Sequence, residues 1–158
     1  IDHFIHPRVE IFLLGINEYD RMAGIEYRTD SGAGAKFVFM RNELLRSDIS
    51  LAPLFQYENY MVSGDSIESR LSVRYRFTMT IWRLTGTLVY FYIPRTTQWK
   101  DYRTELVSSL GIKLADLGLT QKNTLNLRLD YIRKYNSRPP EGIKRSDDSL
   151  TLQLVLEF

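Results

Sequence analysis

Acid–base and nucleophilic chemistry needs imidazoles, thiols or suitably paired carboxylates, and this sequence supplies two histidines, His3 and His6, and no cysteine. The missing cysteines remove disulfides, thiolate zinc sites and cysteine nucleophiles together. A lipid hydrolase would need a serine hydroxyl hydrogen-bonded to one of the two imidazoles. They stand just before Pro7, on opposite faces if the backbone is extended, and i, i+3 spacing converges on a helix but not on a strand. Neither a triad nor a metal pair is expected, and no cofactor is implied. The plain reading is two surface residues.

The other chemistry-bearing feature is charge at alternate positions. Arg70, Arg74 and Arg76 share the polar side of one alternating segment, and Arg128 and Asp130 share that of another. Whatever these groups do, extended strands must carry them, because alternation by two is the strand period. Leu150, Leu152, Leu154, Leu156 and Phe158 oppose Thr151, Gln153, Val155 and Glu157 in the same way. Leu71, Val73, Tyr75, Phe77 and Met79 repeat the rhythm, as do Leu125, Leu127, Leu129 and Tyr131.

Weaker alternation covers Arg8 to Gly15, Arg21 to Thr29, Gly34 to Leu45, Ser50 to Met61, Arg83 to Pro94 and Tyr102 to Ala115, which makes nine candidate strands. Turn chemistry separates them at Asp30–Gly34, at Ser63–Ser66 and across Tyr135 to Asp148. Brief helix is compatible only with Arg41 to Arg46 or Ala115 to Leu119. With 158 residues, no repeat longer than a strand and no linker, the chain reads as one domain spanning residues 1–158.

A soluble sandwich buries the apolar face of such strands, whereas a membrane barrel turns it to lipid. Three features favour the barrel. The strands are long, where soluble ones average about 5 to 6 residues and tilted membrane strands about 9 to 11. Tyr27, Tyr57, Tyr60, Trp82, Tyr102, Tyr131, Tyr135 and Phe158 gather near strand ends, where amphipathic rings suit the headgroup level. The chain closes on an alternating strand with a terminal aromatic, Leu154, Leu156 and Phe158, which resembles the signal read by the barrel-assembly machinery.

With apolar faces outward, the lumen is expected to hold a mixed-sign network including Arg70, Arg74, Arg76, Arg103, Glu105, Arg128 and Asp130, joined by Arg8, Glu10, Glu26, Arg28, Lys36, Glu58, Lys113 and Glu157. Paired charges cross-link strands, while unpaired ones in a confined lumen are costly. Lys plus Arg at 21 against Asp plus Glu at 19 gives a net charge of +2, which carries no bulk field for nucleic acid.

The segment Tyr135-Asn136-Ser137-Arg138-Pro139-Pro140-Glu141-Gly142-Ile143-Lys144-Arg145-Ser146-Asp147 resembles the last external loop of a bacterial outer-membrane β-barrel family of unassigned function, labelled salt-induced outer membrane proteins. The family's pattern there is Tyr-Asp-Ser-x-Pro-Pro-x-Gly-x-Lys-Lys-x-Asp, so Asn136 and Arg145 are departures. Asp101-Tyr102-Arg103 after Tyr92-x-Pro94, and Gly24–Arg28 with Gly32–Gly34, resemble two earlier landmarks. The resemblance covers essentially the whole chain and corresponds to the C-terminal two-thirds of the family.

That resemblance implies a barrel and a location but no activity. With a periplasmic C-terminus, Asn136 to Asp147 and Arg95 to Lys100 become external loops, and Asn17–Asp20, Arg46–Asp48, Met79–Ile81 and Asp116–Asn123 become periplasmic turns. Nine strands would then leave Ile1 to Pro7 outside, so N-terminal strands are expected beyond this chain, ten to twelve in all. The expectation is a non-enzymatic transmembrane antiparallel β-barrel of the bacterial outer membrane, a structural or accessory subunit of an envelope complex. A narrow passive pore is the alternative, and a lipid hydrolase a remote one. Its partners would be outer-membrane lipid, the assembly machinery and other envelope proteins. The external loop motif to watch is Arg138, Pro139, Pro140 and Gly142.

Overall fold

The computed structural model describes residues 2–6, 8–20, 25–60, 64–116, 124–139 and 142–157. These form one antiparallel sheet of nine strands in chain order: β1 (Asp2–His6), β2 (Val9–Asp20), β3 (Ile25–Arg41), β4 (Leu45–Tyr60), β5 (Gly64–Ile81), β6 (Leu84–Arg95), β7 (Gln98–Asp116), β8 (Thr124–Asn136) and β9 (Ser146–Glu157). The described residues contain no helix. β2 to β9 run from 12 to 19 residues, two to three times the usual strand.

The expected count of nine is reached by a different division of the chain. Asp30–Gly34 is no turn: it lies inside β3, which joins the two strands expected on either side, and β1 supplies the ninth. The glycines serve close approach instead of chain reversal. A Cβ on Gly34 would lie 2.7 Å from Ala52 Cβ and from Phe12 Cζ, and one on Gly32 would lie 2.9 Å from Leu54 Cδ2. The β3–β4 ladder keeps its register but lacks pairs between Gly32↔Leu54 and Ala35↔Leu51, beside Pro53, which has no N–H to donate.

Two expected turns sit a few residues away from their predicted places. The β3–β4 reversal is at 42–44, not Arg46–Asp48, because Asn42 Oδ1 accepts from the Leu44 and Leu45 amides at 3.1 and 2.6 Å. The same turn replaces the brief helix expected over Arg41 to Arg46. The β5–β6 reversal is Trp82–Arg83, not Met79–Ile81, with Trp82 at φ 52°. The region expected to be helical at Ala115 to Leu119 lies partly outside the described residues. Because β3 is one strand, the Asn17–Asp20 end of β2 falls at the β8–β9 loop end of the sheet and not at the opposite end as expected.

Burial is inverted relative to a water-soluble sheet. On one face Asp48 is 0% exposed, Glu58 1% and Arg70 5%. On the other Leu152 is 66% exposed, and Phe55, Leu13, Ile67 and Leu154 are similarly open. Register carries this parity from strand to strand, for example Asp48↔Arg76↔Val89↔Val107↔Ile132 along the inner face.

The sheet curls with its charged face concave. Arg103 of β7 reaches Glu58 of β4 at 3.2 Å, and Lys134 of β8 reaches Glu18 of β2 at 3.1 Å. β1 and β9 are the sheet's edges, and among the described residues no ladder joins them, so the expected barrel is not closed. β1 covers β2 only as far as Phe12, leaving the rest of β2 as an edge.

Candidate functional site: the charged concave face

Inward positions are even-numbered on β2 to β5, odd on β6 and β7, even on β8 and odd on β9, which follows from registers that shift only near the strand ends. The concave face therefore gathers charges that lie far apart in sequence. They resolve into separate clusters, each built on carboxylates.

Glu58 organises the first. Arg28 Nε donates to Glu58 Oε1, Arg103 Nη1 donates to the same oxygen at 3.2 Å, and Arg28 Nη1 also holds Glu18 at 2.8 Å. Lys134 extends this chain through Glu18. Two guanidiniums thus share one carboxylate that is almost wholly buried, which offsets the desolvation that a lone buried arginine would suffer. Among the described residues Arg103 Nε and Nη2 meet no hydrogen-bond partner.

Arg70 organises the second. It donates to Glu68 at 2.8 Å, to Asp101 Oδ1 at 3.4 Å and, through Nε, to Gln56 Oε1 at 2.9 Å. Gln56 in turn donates to Asp30, and Arg95 reaches Glu68 at 3.2 Å and Asp101 at 3.6 Å. The third cluster is centred on Asp48: Arg76 donates to it through Nε at 2.9 Å and Nη2 at 2.7 Å, with Arg46 at 3.7 Å and Arg74 at 3.9 Å. Lys36 pairs with Glu10, and Arg128 with Asp130 at 2.8 Å and Ser109 at 3.2 Å.

The residues expected to form one lumenal network are therefore on one face but not in one cluster. Arg70 and Arg103 sit in neighbouring clusters, Arg74 and Arg76 share Asp48, and Arg128 and Asp130 form their own pair. Glu105 lines the cavity described below. Glu26, expected inside, is exposed. Asp48, Glu68, Asp101, Gln56 and Glu18 were missing from the expectation, and the signal for them was the alternation itself. Carrying β4 back from Ser50 by one period reaches Asp48, and carrying β7 back from Arg103 reaches Asp101.

Between these clusters and the β8–β9 loop lies a cavity of about 930 Å³. Its walls carry Phe12, Leu14 and Ile16 from β2 and Phe91 and Ile93 from β6, together with charged groups such as Arg28 and Lys134. Residues 139 and 142–147 of the loop line it too, so the loop folds over the mouth. The loop's root is held to β7: Ser137 N donates to Tyr102 O at 3.0 Å and Ser137 Oγ accepts from Tyr102 N at 2.8 Å. Arg138 Nη1 donates to Gln98 Oε1 at 3.0 Å, and Asn136 N donates to Arg145 O at 2.8 Å, clipping the loop's two ends. Gly142 has φ 82°, the left-handed region that glycine enters without strain. Pro139 lines the cavity, while Pro140 lies outside the described residues.

The outer face carries an ordered set of aromatics. Tyr19, Tyr27 and Tyr57 adjoin in a row, with centroids 5.1 and 6.4 Å apart, and Tyr92, Tyr102 and Tyr135 form another, at 5.6 and 5.9 Å. Both rows stand at the loop end. Tyr27 OH donates to Asn17 and Tyr57 OH to Asp65. Trp82 is exposed at the opposite end, beneath the Arg83 guanidinium at 5.1 Å. Leu154 continues the outer face, Leu156 is placed by its pairing with Leu125, and Phe158 lies outside the described residues. His3 and His6 fall in β1, and among the described residues no group of His, Cys, Asp and Glu could hold a metal ion.

The entire chain, residues 1–158, matches the model of a family described as protein of unknown function, DUF481. The chain belongs to the DUF481 family. No curated protein and no solved structure matches it. The DUF481 assignment agrees with the unassigned function that the loop resemblance implied, and it brings no location with it.

Proposed function

We propose that this DUF481 protein is a bacterial outer-membrane β-barrel whose lumen is filled by paired charges, acting as a non-enzymatic structural or accessory subunit of the cell envelope. The observation that carries the reading is the inverted burial, with Asp48, Glu58 and Arg70 inside and Leu13, Phe55 and Leu152 outside. Water would not tolerate that outer face on a monomer, whereas lipid favours it. The tyrosine rows support the same orientation. From Tyr57 to Leu45 along β4 the rise is about 30 Å at a tilt near 40°, enough to cross the apolar band.

Closure would place further strands between β9 and β1, giving the ten to twelve that an even-numbered barrel calls for. Outer-membrane lipid and the barrel-assembly machinery are then obligate partners, and other envelope proteins are the partners to seek. The test is fractionation of the protein expressed with an export signal. It should sediment with outer membrane, resist carbonate extraction and migrate faster unboiled than boiled; recovery in a soluble fraction would refute the assignment.

A narrow passive pore is the second reading, favoured by the 930 Å³ cavity. Planar-bilayer recording separates the two. Discrete, ion-selective steps would favour the pore, and silence at protein densities that insert efficiently would favour the filled lumen.

A further inference from the structure

We propose that the two-residue turn between β5 and β6, Trp82–Arg83, binds the phosphate of an anionic phospholipid headgroup at the membrane–water interface. The first observation is backbone strain. Ile81 pairs with Leu84, so Trp82 and Arg83 are the whole turn, and a positive φ at the first of two central residues is an arrangement that favours glycine. This chain has tryptophan there, at φ 52°. Its indole is 86% exposed, beneath the Arg83 guanidinium. In water a strained and open indole gains nothing from burial, whereas a headgroup interface stabilises it.

The second observation is Arg83 itself. Arginines of the concave face are held by carboxylates: Arg28 and Arg103 by Glu58, Arg70 by Glu68 and Asp101, and Arg76 by Asp48. Among the described residues Arg83 has neither a carboxylate partner nor a hydrogen-bond acceptor, and its guanidinium lies over the ring at 5.1 Å. Its in-plane N–H groups are therefore open to two oxygens of one phosphate.

The turn is held in place from both sides. Arg83 O accepts from Lys113 N of β7 at 2.9 Å, and Thr80 N donates to Leu44 O at 2.8 Å, which ties this turn to the β3–β4 turn. Leu44, Ile81 and Leu84 form an exposed apolar collar around it. A soluble anion would leave the collar and the indole in water, and an uncharged lipid would leave Arg83 without a counter-charge. An anionic headgroup above its acyl chains meets both. With the β8–β9 loop outside, this end of the sheet meets the phospholipid leaflet.

The proposal rests on the membrane-barrel reading and names the lipid chemistry at one site. Trp99→Phe leaves Trp82 as the sole tryptophan, whose fluorescence reports the turn. The protein is reconstituted in phosphatidylcholine vesicles holding a minor fraction of brominated phosphatidylglycerol or brominated phosphatidylcholine, with the bromines at the headgroup end of the chains. Both should quench Trp82, the phosphatidylglycerol as though enriched about fivefold at the site. Arg83→Gln should abolish that preference and keep the quenching by brominated phosphatidylcholine. Protein that fails to insert as a heat-modifiable species would count against the barrel. Inserted protein whose Trp82 neither lipid quenches would leave the turn to a protein partner and overturn the proposal alone. Equal quenching by the two lipids, or a preference unchanged in Arg83→Gln, would overturn it too. If Arg83→Gln does not fold, the comparison of the two lipids on the Trp99→Phe protein decides.

Discussion

Lys134 Nζ and Glu18 Oε1 lie 3.1 Å apart although five strands separate β8 from β2 in sheet order. A flat or gently twisted sheet of this width could not bring them together, so the pair measures how far the sheet has rolled about its charged face. Both side chains are partly exposed, and the bond itself contributes little. Its value is geometric.

Cross-linking checks that geometry directly, because the natural chain has no cysteine to interfere. In Glu18→Cys/Lys134→Cys, a short bis-maleimide should join the two thiols within one chain in most folded molecules. Glu18→Cys paired with Asn126→Cys, at the far end of β8, should not cross-link. Equal yields from the two pairs, read by gel mobility after proteolysis between them, would show that the sheet is not rolled as described.

Glu58 is the residue on which the interior depends most. Glu58→Gln preserves shape but leaves Arg28 and Arg103 without their shared charge, and breaking a buried pair in this way costs about 3–5 kcal/mol. We expect a lower urea midpoint in liposome-reconstituted protein, with little relief from added salt because the site is screened from solvent. A change below about 1 kcal/mol would mean that the cluster is hydrated.

Arg74 and Arg76 are equivalent by alternation and unequal in the fold. Arg76 makes two contacts to the fully buried Asp48, at 2.9 and 2.7 Å, while Arg74 stands at 3.9 Å. Arg76→Ala should therefore lose about 3 kcal/mol or more of stability and Arg74→Ala clearly less. Thermal unfolding followed by gel heat-modifiability ranks the two. The reverse order, or a change in ion preference without a loss of stability, would instead mark the arginines as a selectivity filter.

Why Asp48 escaped a reading of the sequence is instructive. Alternation alone placed every strong strand and separated inward Arg70, Arg74 and Arg76 from outward Leu71, Val73 and Tyr75. It faltered where local chemistry can serve two purposes. Asp30-Ser31-Gly32-Ala33-Gly34 has turn composition, yet the glycines are there because Leu51, Ala52 and Phe12 crowd β3, and only the neighbouring strands reveal that. Asn42 sets a turn at 42–44, which ends four residues before Asp48 and frees that aspartate to extend β4 inward. The reach of Arg103 on β7 to Glu58 on β4 depends on curvature, which no period encodes.

Adjacent positions on β9 provide the sharpest test of which face meets lipid. Leu152 pairs with Leu129 and points outward, while Gln153 pairs with Arg128 and points inward. If the outer face lies in the bilayer, Leu152→Arg should cost about 2–4 kcal/mol near the midplane. Gln153→Lys should cost clearly less, because it adds a charge to a surface already built for them, although its neighbour Arg128 makes it mildly unfavourable. In a water-soluble sheet Leu152→Arg would be harmless on an exposed surface, and the two variants would differ little because Gln153 is exposed as well. Unfolding of the two variants in the same lipid, set beside the unmodified protein, therefore distinguishes the environments by the size of one difference.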